Sequence, residues 1–485
     1  MADVERPNVL LITTDQQRYD TIGAATGEDW LQTPNLDELA DRGVFLDRTY
    51  IQNPVCMPSR ASLQTGRYPH QHGLDHMNRE IDTTPGLPDW ELTIMERLQR
   101  AGYRTGGTGK LHMMPHKGFH YGRFTNGKGA RWKRTEGSEL GRGPLGATYA
   151  SWLEAKRSGA YEELYEQRRG AAYDEYRTAI TNVLDVEEYV DTWVADQAIE
   201  FLHDPHSDPF FLWCGFMSPH GPVDPPAPYD TVYTDDEVGL PNQRDDAAEP
   251  SSPKGSPEGW WGNDPDKILR WRRHYWGLVS LIDELVGRLM ETLEDRGLFD
   301  ETLIVFTSDH GEMAGDYNLM AKGNFYEEVV RVPTIVVPPG GGAIDRTDTL
   351  VELVDLAPTI LDYAGLDTPR QMAGNSIRPV LAGECDDTDR EVVFTEYYVD
   401  RDRTYHHAAV RSDRYKYVFK GLDGDDEFYD LETDPNELVN LAADPAYRDR
   451  RDWHRDRLID RLLLGGKHHH TDRSLSDREL QTWLR

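Results

Sequence analysis

The sequence predicts an α/β fold: a large, mostly parallel β-sheet sandwiched by helices, with a smaller C-terminal α+β domain containing an antiparallel sheet. Apolar runs that read as strands alternate with helix signals up to about residue 385. Most of these runs are apolar at every position, as expected when both faces of a parallel sheet are covered. From about Glu391 the pattern changes to short strands joined by tight polar turns. The expected domains are therefore 1–385 and 386–485.

Taken in order, Val9–Thr14 is a continuous apolar run and reads as the first buried strand. In "TPNLDELADRG", Thr33 is the expected N-cap, Pro34 opens the helix and Gly43 ends it, with Leu36, Leu39 and Ala40 on one face. "PSRASLQTG" reads as a short helix with Pro58 in its first turn, and "ELTIMERLQRAG" as a helix ended by Gly102 before the short strand "YRTGG". Residues 118–180 and 221–270 are rich in Gly, Pro, Arg, Tyr and Trp with little periodicity, and read as long functional loops or insertions rather than core. Between them "YVDTWVADQAIEFL" predicts a helix and "PFFLWCGF" a buried strand. Leu281, Leu285, Leu289 and Leu293 then recur every four residues in a helix that Gly297 ends, before the strand "TLIVFT". "EVVFTEYY", "HHAAVRSDRYKYVFK" and "DEFYDLE" predict antiparallel strands, followed by a charged helix near 445–464.

Charge narrows the partners. The chain carries 86 acidic and 53 basic residues, a net charge of −33. Such a field repels nucleic acid and anionic membrane, so neither is an expected partner. It reads as the solvated acidic surface of a halophilic protein, with an acidic patch for a basic partner as the alternative. Cys56, Cys214 and Cys385 are too few and scattered for a disulfide framework. No run reaches the ~18 apolar residues of a membrane span, and "MADVERPNVLLITTDQQ" has no leader pattern. A soluble, cytoplasmic protein is expected.

Four polar clusters each follow an apolar run. Asp15 and Gln16 follow "VLLITT", Lys110 and His112 follow "YRTGG", His220 follows "FFLWCGF", and Asp309 and His310 follow "TLIVFT". In a parallel sheet these exits can share one carboxyl edge, where open α/β folds place ligands. Each has a plain structural reading alone: a turn aspartate, an exposed lysine, a backbone-satisfied loop histidine, a turn with a helix cap. Four exits of four are harder to explain that way. Asp15, Asp309, the Gln16 oxygen and a His310 imidazole make a mainly oxygen donor set suited to Ca2+, Mg2+ or Mn2+. Lys322, like Lys110, lies in a glycine-flanked motif.

Cys56 is expected at a helix start, where unpaired amides and the macrodipole favour an anion and lower a thiol pKa. Arg60 lies one turn on and can turn back toward the same anion. This reads as an anion-directed nucleophile, with a small buried cysteine beside a structural arginine as the alternative. "KHHHT" at 467–471 reads as a solvated tail rather than a metal site.

These segments together resemble a known family. "CMPSRASLQTG" matches the sulfatase signature C-x-P-S-R followed by x-x-x-x-T-G, and "GYRTGGTGKLH" matches the family's second signature. "NVLLITTDQQ", "TLIVFTSDHGE" and "KGNFYEEVVRVP" resemble its metal and lysine segments, and "DEFYDLETDPNELVNLA" its C-terminal domain. The chain thus resembles a type I, formylglycine-dependent sulfatase of the alkaline phosphatase superfamily, hydrolysing a sulfate monoester to an alcohol and inorganic sulfate. The resemblance implies that a separate maturation enzyme oxidises Cys56 to formylglycine (3-oxoalanine), whose hydrate is a geminal diol. One hydroxyl attacks sulfur, and deprotonation of the other lets collapse to the aldehyde expel sulfate.

Carried over by position, Asp15, Gln16, Asp309 and His310 hold one divalent cation with the modified Cys56. Calcium is the expected ion, with Mg2+ or Mn2+ as alternatives. Arg60 orients the diol, and Lys110 and Lys322 clamp the sulfate oxygens. His112 takes the second hydroxyl's proton, His220 helps protonate the leaving alcohol, and Asn78 is a further substrate-contact candidate. Many relatives carry a second Asp where this chain has Gln16, so the metal site is less negative. That feature also resembles phosphonate monoester hydrolases and choline-sulfatase-like relatives. The phosphonate hydrolases, however, have uncharged side chains in place of the Lys-x-His pair, so Lys110 and His112 favour sulfate. The expected substrate is a small-molecule or carbohydrate sulfate ester. Phosphonate or phosphodiester hydrolysis is the second reading, and a non-catalytic binding protein the third if Cys56 stays unconverted. A homo-oligomer is left open.

Overall fold

The computed structural model describes residues 6–75, 86–113, 116–125, 127–128, 146–205, 209–242, 264–398, 406–421 and 425–465. Its large sheet contains β1 (Asn8–Asp15), β2 (Val44–Tyr50), β3 (Arg104–Gly109), β4 (Tyr121–Phe124), β5 (Phe210–Pro219), β6 (Thr302–Ser308), β7 (Arg331–Val332), β8 (Thr334–Val337) and β9 (Arg346–Glu352). The order is β4-β3-β5-β1-β6-β8-β2-β7, with β9 paired to β2. From β4 to β6 every neighbour is parallel. Antiparallel pairing enters only where β8 meets β6 and β2, and where β7 meets β2.

The continuous apolar run of β1 follows from its place at the centre of this sheet. Val9 and Leu11 pack in one apolar layer with Leu98 and Ile360, while Leu10 and Ile12 pack in the other with Trp193 and Leu285. Successive side chains point to opposite faces, so a strand covered on both sides needs an apolar residue at every position.

Three expectations are corrected. Residues 118–180 are not a plain loop: they hold β4 and the helices Gly146–Lys156, Ala160–Arg169 and Ala171–Glu175. Tyr149, Leu153, Leu164 and Tyr173 are buried and anchor these helices to the core, but their spacing is hidden among Arg, Glu and Gly. Within 221–270 the leucine helix begins at Pro265 and runs to Asp295. Asp264 caps it, accepting from the Asp266 and Lys267 N–H groups at 3.2 and 3.4 Å. Thr33 occupies the N-cap position, but its hydroxyl accepts from the Gly23 N–H at 2.9 Å. The Pro34–Arg42 helix is instead capped by Asp283 of the long helix, which accepts from Leu36 N–H at 2.7 Å and Asn35 N–H at 3.2 Å. Burial pushes the Asp283 carboxyl up to about 6.

The second sheet is antiparallel, ordered β10 (Val393–Tyr398), β11 (His406–Arg411), β12 (Tyr415–Phe419) and β13 (Glu427–Asp430). Leu458 and Leu462 of the Arg448–Gly465 helix pack with Val410 and Phe428 of this sheet. It also braces two segments that precede it in the chain. Thr395 Oγ1 donates to the Ile51 carbonyl at 2.6 Å, and Asn53 Nδ2 donates to the Glu396 carbonyl at 2.7 Å. Lys416 Nζ donates to the Phe325 carbonyl at 2.7 Å. No helix among the described residues is long and apolar enough to cross a membrane. The histidines of "KHHHT" lie outside the described residues.

Candidate active site

The carboxyl ends of β3, β5, β1 and β6 lie side by side in that order, and the four polar exits meet there. Gly109 makes the turn out of β3 at φ 75, where an added Cβ would stand 2.0 Å from the Gly215 carbonyl oxygen. That same oxygen accepts from the Lys110 N–H at 2.7 Å. The His220 N–H donates to the Asp15 carbonyl at 3.0 Å, and the Asp309 N–H to the Thr14 carbonyl at 3.3 Å. Neighbouring exits are thus tied by backbone bonds before any side chain is considered.

Cys56 opens the Cys56–Thr65 helix, every residue of which is buried. Asn53 Oδ1 accepts from the Val55 N–H at 3.0 Å, a local turn that sets the chain up for the helix start. Around the thiol, His310 Nε2 lies 3.2 Å from Sγ, Asp15 Oδ1 lies 3.5 Å away, and Lys322 Nζ donates at 2.9 Å. Lys322 also donates to Gln16 Oε1 at 2.7 Å, and Lys110 pairs with Asp15 Oδ2. His310 Nδ1 faces the Gly311 carbonyl at 2.8 Å. A carbonyl only accepts, so the proton sits on Nδ1 and the Nε2 lone pair faces the site.

The ligating atoms of Asp15, Cys56, Asp309 and His310 all lie within 4.8 Å of one another. Burial opposes charge on Asp15, yet Lys110, His220, Lys322 and Arg60 hold its carboxyl well below the usual range. Burial likewise opposes charge on Asp309, and Arg60, His310 and Lys110 together outweigh it. Burial pushes His310 down to about 4, keeping the imidazole neutral as a metal ligand requires. The Cys56 thiol is depressed despite burial and Asp15, because Lys322 and Lys110 favour the thiolate.

His220 and His112 complete the expected set. The ring of His220 bonds its Nδ1 to the Gly221 carbonyl at 2.8 Å, and the side chain also pairs with Cys56. His112 is buried, with φ 63, and its Nδ1 has no hydrogen-bond partner among the described residues. Burial and then Lys110 hold its pKa well below the ordinary value. Asn78 lies outside the described residues.

Three contributors were not read from the sequence. Glu312 pairs with the side-chain amide of Gln16; it stands beside the Asp-His pair in "SDHGE", a signal that was available. Tyr275 of the long helix donates to the Gln16 carbonyl at 2.6 Å, which no local pattern announces. Buried Lys128 donates to the Pro222 carbonyl in the His220 turn at 3.1 Å. Burial lowers it to about 8.

Such an edge, cationic and rich in metal-binding donors, suits hydrolysis of an anionic ester. Comparison with known proteins makes the class specific. The sulfatase family model matches residues 7–366, and the N-sulphoglucosamine sulphohydrolase C-terminal model matches residues 315–462. An arylsulfatase of Clostridium perfringens is 31% identical over 482 residues, covering 96% of each chain. The multifunctional alkaline phosphatase superfamily protein PehA of Trinickia caryophylli is 31% identical, covering 97% of each. The phosphonate monoester hydrolase of Agrobacterium radiobacter shares the fold, with a TM-score of 0.78 at 23% identity over 95% of this chain and 96% of that one. This chain belongs to the sulfatase family and is a sulfuric ester hydrolase.

Proposed function

We propose that this sulfatase cleaves the sulfate monoester of a small molecule or carbohydrate, using a formylglycine that a separate maturation enzyme makes from Cys56. One divalent cation, calcium first, completes the site. The observation that carries this reading is the convergence on the Cys56 sulfur of Asp15, His310 and Lys322, residues far apart in sequence. The donor set fits a hard cation: two carboxylates held ionised, an amide oxygen and a neutral imidazole. Bound there, the cation supplies charge stabilisation and lowers the pKa of the nucleophile. The formylglycine hydrate supplies the attacking oxygen and an exit that a plain ester lacks.

The chain's own residues do the rest. Asp15, Gln16, Asp309 and His310 hold the cation. Asp309, ionised beside Arg60, accepts the nucleophile's proton, and Arg60 orients the diol. Lys110 and Lys322 bind the sulfate oxygens, where charge grows in the transition state. His112, buried and neutral, takes the proton of the second hydroxyl. His220, with Nδ1 bonded to a carbonyl and its side chain against residue 56, helps protonate the leaving alcohol. Asn78 stays a candidate for substrate contact. We keep the division at 385/386 and a cytoplasmic site of action as proposals. The second is supported by the free thiols of Cys214 and Cys385, and cell fractionation checks it.

Chelation tests the cation. Dialysis against EDTA is expected to abolish turnover and lower the melting temperature, and Ca2+ to restore both. At a hundredfold excess over Kd the ion stabilises by about 2.7 kcal/mol. Undiminished activity after chelation would sink the cation reading.

The fold match and Gln16 favour phosphonate or phosphodiester hydrolysis as a second reading. Relative kcat/KM on nitrophenyl sulfate and nitrophenyl phenylphosphonate separates the two. Sulfate should be preferred, because Lys110 and His112 occupy the Lys-x-His positions, and a reversed ratio would overturn that choice. The charge of −33 gives a further expectation: stability and activity rise between low and molar salt as self-repulsion is screened. Urea midpoints that do not move with salt would contradict it.

A further inference from the structure

Gln16 stands in the left-handed region at φ 70, a conformation that costs a non-glycine residue roughly 1–2 kcal/mol. Each of its polar groups has a partner. The N–H donates to Asp309 Oδ1 at 3.0 Å, and the carbonyl accepts from the Tyr275 hydroxyl at 2.6 Å. The side-chain amide lies between two charged groups: Nε2 donates to Glu312 Oε2, and Oε1 accepts from Lys322 Nζ at 2.7 Å. Glu312 is itself buried and accepts from the Ala314 N–H at 3.1 Å and from the Ala321 N–H. All three hydrogen bonds of its carboxylate are donated to it.

Resting on the cation reading above, we infer that Glu312 is a positioning residue that sets the polarity of the Gln16 amide and so turns Oε1 toward the cation. An aspartate needs no such orienter, because its two oxygens are equivalent. A glutamine has one oxygen end and one NH2 end, and the reversed orientation would aim N–H dipoles at a cation. Two backbone N–H groups already donate to one carboxylate oxygen, and the other presents an acceptor to Gln16, so Nε2 faces it. A neutral amide at that place keeps its oxygen on the Ala314 and Ala321 N–H groups and turns its NH2 toward Gln16, which opposes the native orientation. Groups that orient a metal ligand in this way typically change metal affinity by about 10–100-fold.

Calorimetric titration of the full-length protein with Ca2+ tests this in a double-mutant cycle. Glu312→Gln is expected to weaken binding by about 10–100-fold, and Gln16→Met by a comparable factor. The double variant should be no weaker than Gln16→Met to within about twofold, since Glu312 acts through the amide. Additive losses, or wild-type affinity in Glu312→Gln, overturn the inference. The exchange Gln16→Glu with Glu312→Gln restores one donor facing one acceptor, and recovers affinity to within about tenfold of wild type. A folded exchange variant that binds no better than Glu312→Gln alone also overturns it, and the exchange keeps the test open if the single variant fails to fold. A wild-type protein that binds none of Ca2+, Mg2+ or Mn2+ removes the cation reading and this inference together, a result distinct from failure of the cycle.

Discussion

Cys56→Ala is expected to lower sulfatase turnover by about 10^4-fold or more, the scale on which loss of a covalent nucleophile is felt. The side chain is small and buried, and alanine is a good helix former at the first position of the Cys56–Thr65 helix. Its thermal unfolding should therefore stay close to wild type while activity collapses. Cys56→Ser is the more informative variant. Its hydroxyl lies where Lys322 and His310 meet the thiol, so it can attack sulfur and release the alcohol. The enzyme-bound sulfate ester then has no second hydroxyl through which to collapse. One equivalent of alcohol at most is expected, with no steady state, provided mass spectrometry shows the serine intact. In the wild-type protein the same measurement reads the conversion itself. Replacing a thiol by an aldehyde lowers the peptide mass by about 18 Da, and hydration of the aldehyde conceals the change, so the peptide is measured dry and after carbonyl labelling. Steady turnover by Cys56→Ser within tenfold of wild type would refute the formylglycine reading. Turnover by wild-type protein whose Cys56 is wholly unconverted would refute it as well.

The site was legible where the chemistry is local to a strand end. Asp15, His220 and Asp309 each follow an apolar run, Lys110 follows the glycine-rich strand Arg104–Gly109, and a parallel arrangement brings those ends together without further information. The fold was legible for the same reason, since β1, β5 and β6 each carry at least four consecutive apolar residues. Contacts set by long-range packing were not. Thr33 has the residue type of a cap, yet Asp283, 250 positions later, supplies the capping oxygens. Tyr275 reaches Gln16 from the middle of a helix whose leucines alone gave it away. The helices at 146–175 bury Tyr149 and Leu164 against the core, but Arg, Glu and Gly on their other faces hide the spacing. Lys416 of the antiparallel sheet braces Phe325, 91 positions earlier in the segment after Lys322, and no periodicity connects them.

Arg60→Met is expected to cost about 3–5 kcal/mol of stability, the price of leaving a buried charge without its partner. Arg60 is 0% exposed, and its guanidinium joins three of the four strand exits. Nε donates to Asp309 Oδ2 at 2.7 Å, Nη1 to the Lys110 carbonyl at 2.8 Å, and Nη2 to the Thr14 carbonyl at 3.1 Å. Methionine fills a similar volume but leaves Asp309 unpaired and two carbonyls without these donors. Urea unfolding should show a lower midpoint at an unchanged slope, since the surface exposed on unfolding is nearly the same. Arg60→Lys keeps the charge but loses the planar fork, so it should fall between the two. The double variant Arg60→Met with Asp309→Asn separates charge from shape. If the damage comes from an orphaned carboxylate, neutralising Asp309 returns part of the lost stability, although activity stays absent because a candidate cation ligand is gone. If the double variant is less stable than Arg60→Met alone, the guanidinium acts chiefly through the two carbonyls, and the ion pair is not what holds the exits together.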